Sequence, residues 1–295
     1  MRILAQSFVV ALASLALSAC AGPPPVADDP YMPEPVRARG DVPDYAEVAR
    51  RYNSNLEHLD RLWSRSIVEM RWTDEDGRRQ FEQGEGHFIY MAPDRVALTV
   101  GKLGNVMLWA GSNHEQYWMF DLRERGIAHH GRHENANRPC SRELPLPVQP
   151  RAVPHLLGLL PLDESVADAA PSVERVQGYN VIEPPGTRLR MMLHPDTALP
   201  VRVDLTDERG EAVVIAQLDR HDYMEIDGVA RLASPRIATR ATVHAVGEEA
   251  ELSLTLSDVT DARRFDRIDE RVFDLVFLMR RHDAAEVIDL DAACP

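Results

Sequence analysis

Three regimes of hydrophobic patterning follow one another along this chain. Residues 3–19 are almost continuously Ala, Leu, Val, Ile, Ser and Phe, with Arg2 ahead of them. Residues 20–43 carry no apolar period. Gly22-Pro23-Pro24-Pro25 and then Pro30, Pro33, Pro35 and Pro43 make an extended stretch with no core of its own. A helical period then begins. Asp44 is a good N-cap with Glu47 as its capping-box partner. Tyr45, Val48, Tyr52, Leu56, Leu59 and Trp63 recur every three or four residues, opposite Arg50, Arg51, Glu57 and Asp60. That spacing predicts one amphipathic helix running from Asp44 towards Trp63.

Beyond Trp63 the period is two. Val68, Met70 and Trp72 alternate with Glu69 and Arg71, and Asp76-Gly77 signals a turn. Strands are predicted over 67–73, 81–91, 95–100, 106–111, 116–122 and 127–131. Their connections are so short that the strands form an antiparallel meander. The Pro-rich segment 139–161 interrupts the pattern and holds a short apolar helix candidate over 153–160. Strands resume over 172–182, 188–194, 200–206, 212–220, 235–246 and 251–259, and 269–280 reads as a last helix or hooked segment. The expected fold class is mainly β (α+β), a single antiparallel system of about 11–12 strands. A sheet that long must curl.

The apolar share of 44% excludes global disorder, and the formal net charge of −14 repels phosphate backbones, so nucleic acid is not an expected partner. The opening segment has the positive start, apolar centre and small residues of a secretory signal. Its end, Leu17-Ser18-Ala19-Cys20, resembles the bacterial lipobox. That resemblance implies removal of residues 1–19, acylation of Cys20 (palmitate or a similar chain), and a membrane anchor made of lipid. The alternatives are an ordinary signal peptide or a spanning helix, for which the stretch is short. Ala21 is not the aspartate that retains enteric lipoproteins at the inner membrane, which leans towards the outer membrane. The remaining cysteines, Cys140 and Cys294, either pair as a disulfide in an oxidising compartment or are two unrelated thiols.

The faces of the strands suggest a site. Val68, Met70, Trp72, Phe88, Tyr90, Val96, Leu98, Val100, Met107, Trp109, Trp118 and Phe120 form a proposed inward set containing three of the four tryptophans. Methionine and aromatic surfaces adapt to varied apolar ligands; the plainer alternative is that the same set is ordinary core under the first helix. Between two strands, Gly101-Lys102-Leu103-Gly104-Asn105 sets an apolar residue at a loop tip, suited either to a bilayer or to folding back on the sheet.

Lipobox, Pro-rich stretch, one amphipathic helix, a six-strand meander, a helical interruption and a second antiparallel set together resemble the bacterial LolA/LolB-type lipoprotein carriers and receptors. The segment 93–108 is the most similar part. The resemblance implies an incomplete β-barrel, with the N-terminal helix and the short mid-chain helix covering its opening around a hydrophobic cavity. It implies a domain over 44–280 and a tail over 281–295. It also implies that Leu103 is the tip residue that helps place cargo in the membrane. The function expected from it is a periplasmic, membrane-anchored lipoprotein binding an acyl chain or a lipoprotein in transit. The alternative is a scaffolding envelope lipoprotein with a filled core that docks an envelope protein. Enzyme motifs are missing from the sequence: there is no Gly-x-Ser-x-Gly, His-Glu-x-x-His, phosphate loop or Cys-x-x-Cys. His129, His130 and His133 read as a solvated strand end, because adjacent imidazoles point to opposite faces. No metal and no cofactor is expected.

Overall fold

The structure, a computed structural model, describes residues 29–73, 76–123, 126–136, 138–142, 144, 146, 148–165, 171–247, 249–261 and 269–294. Cys20 and the predicted signal segment lie outside them. The chain divides into residues 1–32 and 33–295. In the first unit the described residues 29–32 form a turn, in which Asp29 accepts from the Tyr31 amide at 2.9 Å. Everything below concerns the second unit.

Helix α1 (Tyr45–Ser54) starts where the cap predicts, with Asp44 accepting from the Glu47 amide. It ends sooner than its apolar spacing suggests. His58 takes a left-handed φ of 72°, and the chain enters β1 (Arg61–Thr73). Trp63 therefore belongs to a strand. β2 (Arg79–Met91), β3 (Arg95–Lys102), β4 (Asn105–Ser112), β5 (Gln116–Asp121) and β6 (Ile127–Arg132) follow as the predicted meander. A 3-10 turn (Pro150–Ala152) and α2 (Val153–Leu156) come next. The second set is β7 (Glu174–Val176), β8 (Tyr179–Ile182), β9 (Leu189–Leu193), β10 (Pro200–Thr206), β11 (Ala212–Tyr223), β12 (Arg236–Ala245) and β13 (Glu251–Thr260). The strand predicted over 172–182 is thus a hairpin, because Gln177 and Gly178 both sit at positive φ, the geometry of a tight primed turn. A 3-10 turn (Glu270–Phe273), α3 (Leu275–His282) and β14 (Glu286–Asp289) close the chain.

The fourteen strands among the described residues form one sheet, ordered β14-β6-β5-β4-β3-β2-β1-β13-β12-β11-β10-β9-β8-β7. The two meanders meet at β1, which pairs with both β2 and β13. The edge strands β14 and β7 do not pair with each other, so the curled sheet is an unclosed barrel. β14 runs parallel to β6, so the sheet is mixed and not wholly antiparallel, and this strand lies in the stretch 281–295 expected to be a tail. Residues 34–41 of the Pro-rich stretch are bonded to the β7–β8 hairpin. Val36 N–H donates to the Gln177 carbonyl at 3.0 Å, and Tyr179 Oη donates to the Glu34 carbonyl at 2.8 Å.

The inner face holds the main core. Tyr45, Val48, Ala49 and Tyr52 of α1, with Leu156, Leu157 and Leu159, pack against Leu62, Tyr90, Val96, Ile182, Leu193 and Val203. Tyr52 Oη donates to the Gly158 carbonyl at 2.8 Å, tying α1 to the end of α2. Gly158 has φ 65°, and a Cβ there would lie 2.6 Å from Pro200, so α2 must stop at a glycine. The outer face is covered separately, by residues 270–282 over Trp63, Ile89, Trp109, Trp118 and Phe120.

Candidate binding cavity

Antiparallel register decides which side chains share the inner face, because directly opposed residues point the same way. Across β12, β13, β1 and β2 one row reads Ala241, Leu254, Val68 and Gly84, and the next reads Val243, Leu252, Met70 and Glu82. Across β2, β3 and β4 the rows continue as Phe88, Leu98 and Ala110, then Val100 and Leu108. These residues form the floor and walls of a cavity of ≈ 140 Å³. Its cover is the mid-chain segment, with Leu146, Val148, Pro150, Val153, Leu156 and Leu157. Helix α1 fills the neighbouring part of the interior but does not line this space.

Glu82, Gln83, Lys102 and Arg123 are the polar lining. Arg123 Nη2 lies 2.6 Å from Asp121 Oδ2, and Nη1 lies 3.5 Å from Glu82. Hydrogen bonding from Arg123 holds the Asp121 carboxyl below its usual range. Tyr90 contributes no polar group to the cavity. Burial, with Asp94 and Asp60 nearby, pushes its phenol up to about 12, so it stays neutral. A larger depression of ≈ 510 Å³ lies beside α1, lined by Arg50, Asn53, Glu57, Asp60 and Glu164 among others; these charges mark it as a hydrated cleft.

Of the predicted inward set, Val68, Met70, Phe88, Val96, Leu98, Val100 and Met107 line the cavity. Tyr90 lies in the filled core beside it, and Trp72 is half-buried at the end of β1. Trp109, Trp118 and Phe120 are placed on the outer face, under Leu275 and Leu278 of α3. The reason is a β-bulge. Val100 pairs with Leu108 while Gly101 pairs with Val106, so Met107 is an extra residue. On β4 the cavity then receives Leu108 and Ala110, which alternation from Met107 and Trp109 passes over. Leu146, Val148, residues 150–157 and the β12–β13 wall lie outside the predicted set; the apolar run over 153–160, with the short helix implied as a cover, is the signal for the mid-chain part alone.

Leu103 sits at the tip of the β3–β4 hairpin, fully exposed, with φ 52° beside Gly104 at 83°. Lys102 pairs with Asn105, so the loop is two residues long and of the primed hairpin type. Leu103 does not fold back on the sheet.

The histidines do not form a solvated end. His133 Nε2 lies 2.7 Å from the Asn113 carbonyl, and its ring stacks on Tyr117. Burial pushes His129 and His133 below their usual range. Among the described residues no group of His, Cys, Asp or Glu is arranged to hold a metal. Cys140 and Cys294 stand joined, with Cα atoms 5.0 Å apart. Beside them Arg142 N–H donates to the Leu290 carbonyl at 2.9 Å and Ser141 Oγ donates to Asp291 at 3.0 Å. Among the described residues no helix is long and apolar enough to cross a membrane.

Fold and site together define an incomplete β-barrel with an apolar inner pocket, the architecture expected from the LolA/LolB-type resemblance. No protein-family model matches the chain, and no curated protein matches it. Solved structures similar to it include a DUF1329 family protein from Desulfovibrio piger, at 12% identity and TM-score 0.49, covering 79% of this chain and 96% of that one. A domain described as an outer membrane lipoprotein-sorting protein domain from Vibrio parahaemolyticus shows 11% identity and TM-score 0.46, over 79% and 97%. A LolA superfamily protein from Nitrosomonas europaea shows 10% identity and TM-score 0.43, over 74% and 93%. At such scores the fold assignment rests on the sheet order itself.

Proposed function

We propose that this chain is a non-enzymatic envelope lipoprotein, anchored through Cys20 to the outer membrane on its periplasmic side, whose cavity takes an acyl chain from a lipid or a lipoprotein in transit. In this reading residues 1–19 are removed, 20–43 link the lipid to the domain, and Cys140–Cys294 is a stable disulfide. The observation that carries the reading is the unfilled apolar space between Val68, Met70, Leu98, Ala110 and the mid-chain residues Val148, Val153, Leu156 and Leu157. Burying about 300 Å² of acyl surface at about 25 cal/mol/Å² yields about 7 kcal/mol before the costs of association. The scaffold alternative is favoured by one feature, the dense packing of α1 against the inner face beside the cavity.

The test is titration of the unlipidated Cys20→Ser protein with a fluorescent fatty acid, alongside native mass spectrometry. Saturable one-site binding is expected, and Ala110→Phe, which puts a ring into the cavity, should weaken it at least tenfold while the protein still melts cooperatively. A Cys20→Ser protein that binds no fatty acid and carries no lipid would leave the scaffold reading in place.

A further inference from the structure

Lysine occurs once in this chain, at position 102; all its other basic side chains apart from histidine are arginine. That lysine ends β3, next to the exposed tip Leu103, and its side chain lines the cavity. The other two charges of the lining, Arg123 and Glu82, face each other, and Arg123 also grips Asp121. Among the described residues no carboxylate lies within ion-pair distance of Lys102. Among the described residues the cavity therefore has one unneutralised cation, at its polar rim, on a molecule whose net charge is −14.

Resting on the acyl-cavity reading above, we propose that the ligand is a single-chain amphiphile with an anionic head, its tail in the cavity and its carboxylate or phosphate on the Lys102 ammonium. An acidic protein repels anions over most of its surface, so an anionic head needs a local cation to compensate. A compact ammonium on a flexible four-carbon stem suits heads of varied shape, and the stem can lie along the apolar mouth while the charge stays wet. The tail count follows from size. A cavity of ≈ 140 Å³ has room for about ten water-sized spheres. A methylene is of similar size, so the space matches one chain of about ten carbons.

The experiment is calorimetric titration of the Cys20→Ser protein, at low salt, with three probes of equal chain length: dodecanoate, dodecanol and dodecyltrimethylammonium. The expected order is anion, then alcohol, then cation, with about fivefold between the first two, the size of one partly exposed charge contact. Added salt should shrink that ratio. Lys102→Met should bring the anion down to the level of the alcohol, and Lys102→Arg should keep the preference. Equal affinity for dodecanoate and dodecanol, or a preference that survives Lys102→Met, overturns the proposal and leaves the cavity reading intact. Binding of none of the three overturns both. A charge preference seen only as association with anionic vesicles, with no soluble anion bound, also overturns it, because Lys102 would then read a bilayer.

Discussion

At the scale of single residues, the interior states its chemistry through groups that burial keeps neutral. His221 on β11 lies opposite Ala238 of the inner-face core. Burial is the main cause that takes its imidazole down to about 4; Arg236 and His194 push the same way, while hydrogen bonding at Pro200 and the charge of Asp219 oppose it. An unfolded histidine titrates near 6.5. Between about pH 6.5 and 4 the unfolded chain therefore binds more protons than the native one, and stability falls as pH falls through that window. Above about pH 7 the effect is absent. Lowering the pH from about 7 to about 5 should cost up to about 2 kcal/mol through this one residue. His129, His133, His155, His244 and His282 are lowered as well and steepen the same acid limb. Urea melts of His221→Leu at the two pH values should show a shallower loss than wild type. An unchanged slope would mean that His221 titrates normally.

At the scale of elements, the cover over the cavity is held by side-chain clamps more than by its own short helix, since a four-residue helix has no stability alone. Tyr52 Oη on the Gly158 carbonyl is one such clamp, and Asn53 of α1 holds the stretch of chain that runs on from the cover. Asn53 Nδ2 donates to the Leu162 carbonyl at 2.9 Å and to Glu164 at 2.7 Å, and its Oδ1 accepts from the Leu162 amide at 2.8 Å. Asn53→Ala should destabilise by about 1–2 kcal/mol, read as a lower Tm, and should speed hydrogen exchange at the Leu162 amide beyond the global change. Exchange that tracks only global stability would show that the cover opens independently of Asn53. Such clamps explain what the pattern of the chain does and does not disclose. The start of α1 is readable because Asp44 is a local cap. Its end is not, since Leu56 and Leu59 continue the helical spacing past Ser54, where the helix stops, and across the turn at His58. The strands of the meander are readable by period two, but their faces are not. Every residue of β5 from Tyr117 to Phe120 is buried, so alternation alone cannot say which side meets the cavity. That choice belongs to α3, which arrives from more than 150 residues away in sequence to cover Trp118 and Phe120, and to a bulge at Met107 that shifts the register.

At the scale of the whole second unit, cavity and tip meet at one end of the sheet. Met70, Glu82, Val100 and Lys102 bring the inner lining to the strand ends from which the Leu103 hairpin projects. A fully exposed leucine in a left-handed conformation gains nothing from the folded monomer. Burying it in hydrocarbon recovers its apolar transfer energy, about 2 kcal/mol, and would hold the mouth against a bilayer while the ligand moves. The consequence separates delivery from binding. Leu103→Glu should leave Tm unchanged, because the side chain packs against nothing, yet slow the transfer of a preloaded, uncharged fluorescent fatty alcohol to vesicles, a ligand whose affinity does not depend on a charge beside Lys102. If contact with the bilayer is rate-limiting, the loss should be about tenfold or more, since a carboxylate replaces a favourable insertion with an unfavourable one. The wild-type rate should rise with vesicle concentration. A transfer rate that ignores vesicle concentration and is the same in Leu103→Glu would mean that the ligand leaves through water, and the hairpin would then have no part in delivery.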